Sequence, residues 1–212
     1  MNELQRKQRM YAKQQVAFGD AAALYQYRFE NDNGRVPKLE QARNYVEHWD
    51  EMRRQNTGLL FWGMPGNGKT FAAGCIANAL LELHPVPSVK MTTLGTILNK
   101  LPTLSAQDKE WYLKGFQTCD LLILDDFGME RQTDYAREQV FNIIDGRYLS
   151  RKPLIVTTNL SLQELKEPNG MVEQRIFDRV LEMCVPICFD GENLRQEKAR
   201  EKMQLYKQLT AK

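Results

Sequence analysis

The sequence predicts a three-layer α/β domain: a parallel sheet with helices on both faces. Three observations carry this. Short apolar runs alternate with stretches of helical periodicity along most of the chain, and parallel strands need such crossover helices, which then cover the sheet. The first apolar run leads straight into a glycine-rich turn that opens a helix. The 212 residues are 42% hydrophobic and 26% charged, a globular composition that suits one core with appendages and excludes a disordered or fibrous chain.

Taken in order, residues 1–36 are polar at the start and then aromatic (Tyr11, Phe18, Tyr25, Tyr27, Phe29), ending in the turn-rich break Asn31-Asp32-Asn33-Gly34 and Pro37. They read as an N-terminal extension. From Leu39 to Met52, Ala42, Tyr45, Val46, Trp49 and Met52 recur at helical spacing, predicting one amphipathic helix stopped at Asn56-Thr57-Gly58. Leu59 to Trp62 is a buried strand, and a helix from Lys69 to His84 closes at Pro85 and Pro87. A strand over Ser88–Thr92, helices over Leu94–Leu101 and Gln107–Gln117, and the strand Leu121–Leu124 follow. Next come a helix over Asp134–Leu149, the strand Leu154–Thr158 after Pro153, and a helix start at the Ser161-x-x-Glu164 capping box. A helix over Met171–Met183 and the strand Cys184–Phe189 complete a core spanning 37–191. Residues 192–212 form a last helix with Leu194, Met203, Tyr206 and Leu209 near one face.

Charge and cysteines narrow the classes further. The net charge of +2 is too small to argue for nucleic-acid binding by itself; residues 192–212 carry +3 of it and the rest sums to −1. Cys75, Cys119, Cys184 and Cys188 lack the second pair or neighbouring histidine of a zinc site, and read as buried free thiols in a reducing compartment. No apolar run approaches the 18 or more residues that span a bilayer, and the first 20 residues are charged throughout, which points to a cytoplasmic protein away from membranes.

The chemistry concentrates in Gly63-Met64-Pro65-Gly66-Asn67-Gly68-Lys69-Thr70, which fits Gly-x-x-x-x-Gly-Lys-Ser/Thr between a buried strand and a helix. Gly63, Gly66 and Gly68 allow a tight loop whose N–H groups, Pro65 aside, converge on phosphate oxygens. The helix N-terminus adds positive dipole. Lys69 offers a charge to the β- and γ-phosphates, and the Thr70 hydroxyl is placed to ligate Mg²⁺. Asp125 and Asp126 end the apolar run Leu121–Leu124. In a parallel sheet that end faces the same side as the phosphate loop, so one carboxylate can hold the metal shell and the other can orient or deprotonate water. Asp125 is assigned to the metal and Asp126 to the base, with the reverse open.

The run Leu121–Gly128, then Glu130, Arg131, Ile144-Asp145-Gly146-Arg147-Tyr148 and Lys152-Pro153-Leu154-Ile155-Val156-Thr157-Thr158-Asn159-Leu160, together with the phosphate loop, closely resembles the DnaC/IstB-type AAA+ ATPases. These are bacterial and phage helicase loaders and their transposition relatives. The resemblance covers roughly Pro37 to Arg195. It implies a five-stranded AAA+ sheet, ATP as nucleotide, and self-association into spirals or rings with ATP at subunit junctions. Asn159 matches the sensor-one position; an amide at a strand's carboxyl end can bond both γ-phosphate and attacking water. Arg175-Ile176-Phe177-Asp178-Arg179 matches the arginine-finger segment, with Arg179 first and Arg175 the alternative. Arg195 aligns with the sensor-two arginine more loosely, since Glu192-Asn193-Leu194 lacks the usual aromatic before it; Arg200 is the alternative.

The resemblance implies a replicative ring helicase and single-stranded DNA as partners. Family members commonly carry a larger N-terminal docking region, so either this chain is a truncated core or a short helix such as Leu4–Phe18 docks. Trp111, Tyr112 and Phe116 among Lys109 and Lys114 offer stacking or, more commonly, core packing; Lys90, Lys100 and Arg131 could border a basic channel. The leading function is a Mg-ATP-dependent helicase loader, weakly active as a monomer. A transposition helper, a P-loop small-molecule kinase and a nucleotide-gated binding module are the competing readings.

Overall fold

The computed structural model describes residues 3–32, 34–36, 38–128, 133–168 and 170–210. Glu130, Arg131 and Pro37 lie outside them. Five parallel strands stand in the order β2-β3-β4-β1-β5: β1 Gly58–Trp62, β2 Val89–Thr93, β3 Leu121–Phe127, β4 Leu154–Thr158 and β5 Cys184–Cys188. Ten α-helices accompany them among the described residues: α1 Glu3–Phe18, α2 Leu39–Glu47, α3 Trp49–Arg54, α4 Lys69–Leu80, α5 Leu94–Lys100, α6 Ala106–Thr118, α7 Asp134–Leu149, α8 Leu162–Lys166, α9 Met171–Met183 and α10 Leu194–Thr210. None is long and apolar enough to cross a membrane.

Alternation along the central strands divides the core in two. Leu59, Phe61, Leu121, Ile123 and Ile155 face a layer containing α1, α2 and α4, whereas Leu60, Leu122, Leu124, Leu154 and Val156 face α5, α7 and α9. Both layers close over the sheet, which is why its strands read as continuous apolar runs.

Four expectations need correction. The helix predicted over Leu39–Met52 is two helices broken at His48 (φ −105°, ψ 23°), whose ring Nδ1 lies 2.9 Å from the Asn44 carbonyl. The helix opened by Lys69 ends at Leu80 rather than His84, because Pro85 has no N–H and its ring would collide with the carbonyl four residues back. That carbonyl, Leu81 O, accepts from Lys13 Nζ at 2.7 Å instead. β3 runs past Leu124 to Phe127, carrying the acid pair inside the strand. Only three of the cysteines are buried: Cys75, Cys119 and Cys184 have thiols pushed up by burial, while Cys188 is half-exposed.

The stretch set apart as an extension supplies Ala17, Phe18 and Phe29 to the core. It is pinned to the phosphate-loop helix by a buried amide pair. Asn78 Nδ2 donates to Leu24 O (2.8 Å) and Tyr27 O (2.9 Å), and Gln14 Nε2 donates to Asn78 Oδ1 at 2.7 Å. Gly74 on the same helix leaves the room that Tyr27 fills, since a Cβ there would lie 2.6 Å from its ring.

At the opposite end of the sheet from the glycine-rich loop, Arg147 is fully buried. Its guanidinium donates to the carbonyls of Phe116 (3.2 Å), Gln117 (3.1 Å), Cys119 (2.7 Å), Asp120 (3.1 Å) and Pro153 (2.5 Å). One side chain on α7 thus satisfies the C-terminal carbonyls of α6 and ties the approaches to β3 and β4 together, which the planar fork of arginine allows and an ammonium does not. Burial lowers its pKa. Arg147→Ala is expected to cost about 3 kcal/mol or more of stability, because several buried carbonyls lose their donor at once; urea denaturation would measure it, with Arg147→Lys falling between alanine and the native residue.

Candidate functional site

The carboxyl ends of β1, β3 and β4 converge on one pocket. The loop after β1 turns through left-handed backbone at Gly66 (φ +90°) and Gly68 (φ +89°). Both positions also exclude a side chain: a Cβ on Gly66 would meet Asn193 Oδ1 at 2.2 Å, and one on Gly68 would meet Val36 Cγ1 at 2.7 Å. Asn67 is buried and donates from Nδ2 to Phe189 O (2.9 Å), anchoring the loop to the end of β5.

Lys69 is 5% exposed and its Nζ donates to Gly63 O (2.7 Å) and Met64 O (2.8 Å), so the ammonium sits inside its own loop. Burial lowers its pKa, opposed by the nearby Asp126 carboxylate. A buried cation whose hydrogen bonds among the described residues go to carbonyls is a site prepared for an anion.

Thr70 Oγ1 donates to Asp125 Oδ1 at 2.9 Å, and Thr157 Oγ1 donates to the same oxygen at 2.6 Å. The Asp126 N–H donates to Thr157 Oγ1 at 3.0 Å. These bonds join the loop helix, β3 and β4. The two acids point apart because β3 bulges between Leu124 and Phe127, with Asp126 in left-handed backbone (φ +53°). Under strict alternation Asp126 would follow Leu122 and Leu124 into the core. The extra residue sends Phe127 there instead and leaves Asp126 exposed at the pocket.

The pocket is lined by Pro65, Gly66, Gly68, Lys69, Thr70, Asp126, Asn159 and Arg195, among others, and encloses about 220 Å³. Asn159 sits just beyond β4, and Arg195 in the first turn of α10, where Leu194 N–H donates to Gly66 O at 3.0 Å. Arg200 is exposed along α10 and does not line the pocket. The pocket is completed by Phe71, Leu194 and Glu197 and by a wall of Tyr27, Asn31, Asp32, Arg35 and Val36, a wall that sequence reasoning missed; the aromatic run ending in an Asn-Asp turn was its signal.

Arg179 is not at this pocket. Its Nη2 lies 2.5 Å from Asp145 Oδ1 and its guanidinium packs over Phe141 and Tyr148, at 4.7 and 5.5 Å from the ring centroids. Arg175 lies over the same Phe141 at 4.6 Å and is exposed. On α6, Phe116 is buried and Tyr112 half-buried, packed edge to face, but Trp111 is 71% exposed. Lys90 lies over the Phe116 ring rather than in open solvent.

The donor set fits a Mg²⁺–nucleoside triphosphate: a glycine cradle closed to side chains, a buried lysine, and a hydroxyl bonded to a carboxylate at the loop's edge. Burial raises the Asp125 pKa, and Asp126 raises it further, while the Thr157 and Thr70 hydroxyls lower it. The folded chain therefore holds that proton more tightly than the unfolded chain does. Its contribution to stability is lost as pH rises from the ordinary carboxylate range through the raised folded value. Asp125→Asn, which keeps an acceptor for both threonines, should leave the melting temperature of the nucleotide-free protein at neutral pH unchanged or higher, and a thermal melt would read this.

Comparison with known proteins gives the chain a family and a fold. A family model for IstB-like ATP binding proteins matches residues 2–202. The replicative helicase loader DnaC of Escherichia coli (strain K12) is 30% identical over 157 residues, 73% of this chain and 60% of that protein. The replicative helicase loader DnaI of Bacillus subtilis (strain 168) is 28% identical over 197 residues, 88% of this chain and 61% of that protein. The chain thus spans about three fifths of the length of the curated relatives it matches. Among solved structures, a DnaC helicase loader superposes with TM-score 0.62 at 25% identity, over 74% of this chain and 91% of that one. A DnaI structure gives 0.67 at 20% identity, over 86% and 98%. The fold is that of AAA+ P-loop domains.

Proposed function

The chain belongs to the family of IstB-like ATP-binding proteins, and on that footing we propose that it is a Mg-ATP-dependent helicase loader acting in DNA replication. The observation that carries the catalytic part is the bonding of Thr70 and Thr157 to one Asp125 oxygen, which sets the phosphate loop against the strand tips where Asp126 and Asn159 face the same pocket. Lys69 exchanges its loop carbonyls for the β- and γ-phosphate oxygens. Thr70 and Asp125 would hold Mg²⁺, which would supply charge neutralisation to the phosphates. Asp126, the exposed acid, orients the attacking water and takes its proton, and Asn159 fixes that water against the γ-phosphate. Arg195 reports the phosphate state to α10.

Hydrolysis is conditional on self-association, since the finger arginines lie away from the pocket of their own chain and would serve a neighbour's. Arg179 would first have to leave Asp145; Arg175, exposed on the same helix, needs no such release. Trp111, exposed beside Lys109 and Lys114, is the aromatic we assign to single-stranded DNA. The exposed Leu4 and Tyr11 on α1 are the groups we assign to docking on the ring helicase. A transposition helper is the second reading, favoured by the IstB-like description of the matching family. Capture of the host's replicative helicase in the presence of ATP and single-stranded DNA separates the two; capture of a transposase instead would overturn the first.

Lys69→Ala should lose ATP binding by calorimetry. Asp126→Asn should bind ATP with near-native affinity yet hydrolyse it about 10²-fold more slowly or worse, measured as phosphate release. Arg175→Ala and Arg179→Ala should each bind ATP normally, and whichever supplies the finger should lose about 10³-fold of the assembled turnover. Mixing that variant with Lys69→Ala subunits should restore part of the activity, because an intact finger then meets an intact phosphate site.

A further inference from the structure

Two segments remote in sequence meet across the mouth of the nucleotide pocket. On one side are residues 34–36, where Val36 fills the space above Gly68; on the other is the start of α10, which carries Arg195. Arg35 Nη1 lies 2.9 Å from Glu197 Oε2 and 3.5 Å from Glu201 Oε1. Glu197 and Glu201 are one helical turn apart, so a single guanidinium engages two carboxylates on one face. Arg35 and Glu197 themselves line the pocket.

Among the described residues, little else fixes the direction of α10. Its first turn is hinged on the glycine loop through Leu194 N–H to Gly66 O and through Asn193, whose side chain lies against Gly66. From residue 199 to 210 the helix is exposed throughout. Among the described residues, the ion pairs that join α10 to another element both run to Arg35. A helix without a buried face takes its angle from such a hinge and tether, rather than from core packing.

We infer that Arg35 is a positioning residue that clasps α10 across the pocket, holding Arg195 at the phosphate side and slowing nucleotide release. This rests on the pocket being the ATP site proposed above. The side chains are 40 to 58% exposed, so each pair is weak alone and sensitive to salt. The expected effect is about a twofold to fivefold change in release rate at low ionic strength, in line with the modest strength of exposed ion pairs.

Stopped-flow release of a fluorescent ATP analogue from the full chain tests this at low and high salt. Arg35→Ala should release faster at low salt, with the difference shrinking as salt rises, and Arg35→Lys should recover most of the native rate. Arg35→Glu combined with Glu197→Arg and Glu201→Arg should also return toward native release, and these two variants carry the test if the alanine variant does not fold. Native release from Arg35→Ala, an acceleration equal at both salts, or a reversed-charge triple that stays fast would each overturn the clasp. Uptake of the analogue by the native chain but not by Lys69→Ala upholds the site, so that a silent Arg35→Ala then sinks the clasp alone. No uptake by the native chain sinks the site and the clasp with it.

Discussion

A single carboxylate oxygen, Asp125 Oδ1, governs the geometry of the site. It is buried at the carboxyl end of β3 and accepts two hydroxyls, one from the first turn of α4 and one from the end of β4. Residues 70, 125 and 157 are far apart in sequence, and nothing but a parallel sheet with β3 and β4 adjacent and β1 beyond them brings their tips together. The phosphate loop is thereby set at a fixed distance from the acids, before any ligand contributes. Its cost is a buried charge partly offset by hydrogen bonds, the kind of local penalty that functional sites carry and the surrounding core supports.

Adjacent acids with opposite environments follow from one inserted residue. An unbroken strand would have placed Asp125 and Asp126 on opposite faces of the sheet, one of them in apolar packing. The bulge keeps Leu122, Leu124 and Phe127 on a common face and turns Asp126 out. The difference in environment between the two carboxylates is thus written in the backbone rather than in the side chains.

The layered architecture and the phosphate cradle were legible in the sequence because they rest on local signals: apolar runs of strand length, glycines at loop positions, and a lysine and threonine at a helix start. The extents of α7, β4 and α9 were legible for the same reason. The bulge was not, since Leu-Leu-Ile-Leu-Asp-Asp-Phe reads equally as a strand with a polar end. Nor was the division of the helix at His48, where Tyr45, Val46 and Trp49 keep helical spacing across the break. The pocket wall from Tyr27 to Val36 depends on Gln14 and Asn78 meeting 64 residues apart, a contact that no periodicity announces. Arg147 could be quoted as part of a familiar run, yet its burial is a fact of packing alone.

That burial has a chemical corollary. An arginine neutralised by a carboxylate loses its counterion when acid protonates the partner, but the oxygens around Arg147 are peptide carbonyls, which do not titrate in water at any ordinary acidity, with the Cys119 thiol beside them. The clamp joining α6, β3 and β4 therefore keeps its carbonyl acceptors when carboxylates protonate. Acid reaches that end of the sheet through Asp120 instead, where burial is outweighed by the bonds from Ser88, which hold the carboxyl below the usual range beside Arg53 and Lys152. Asp125, by contrast, already keeps its proton more tightly in the folded chain and loses no stability on protonation.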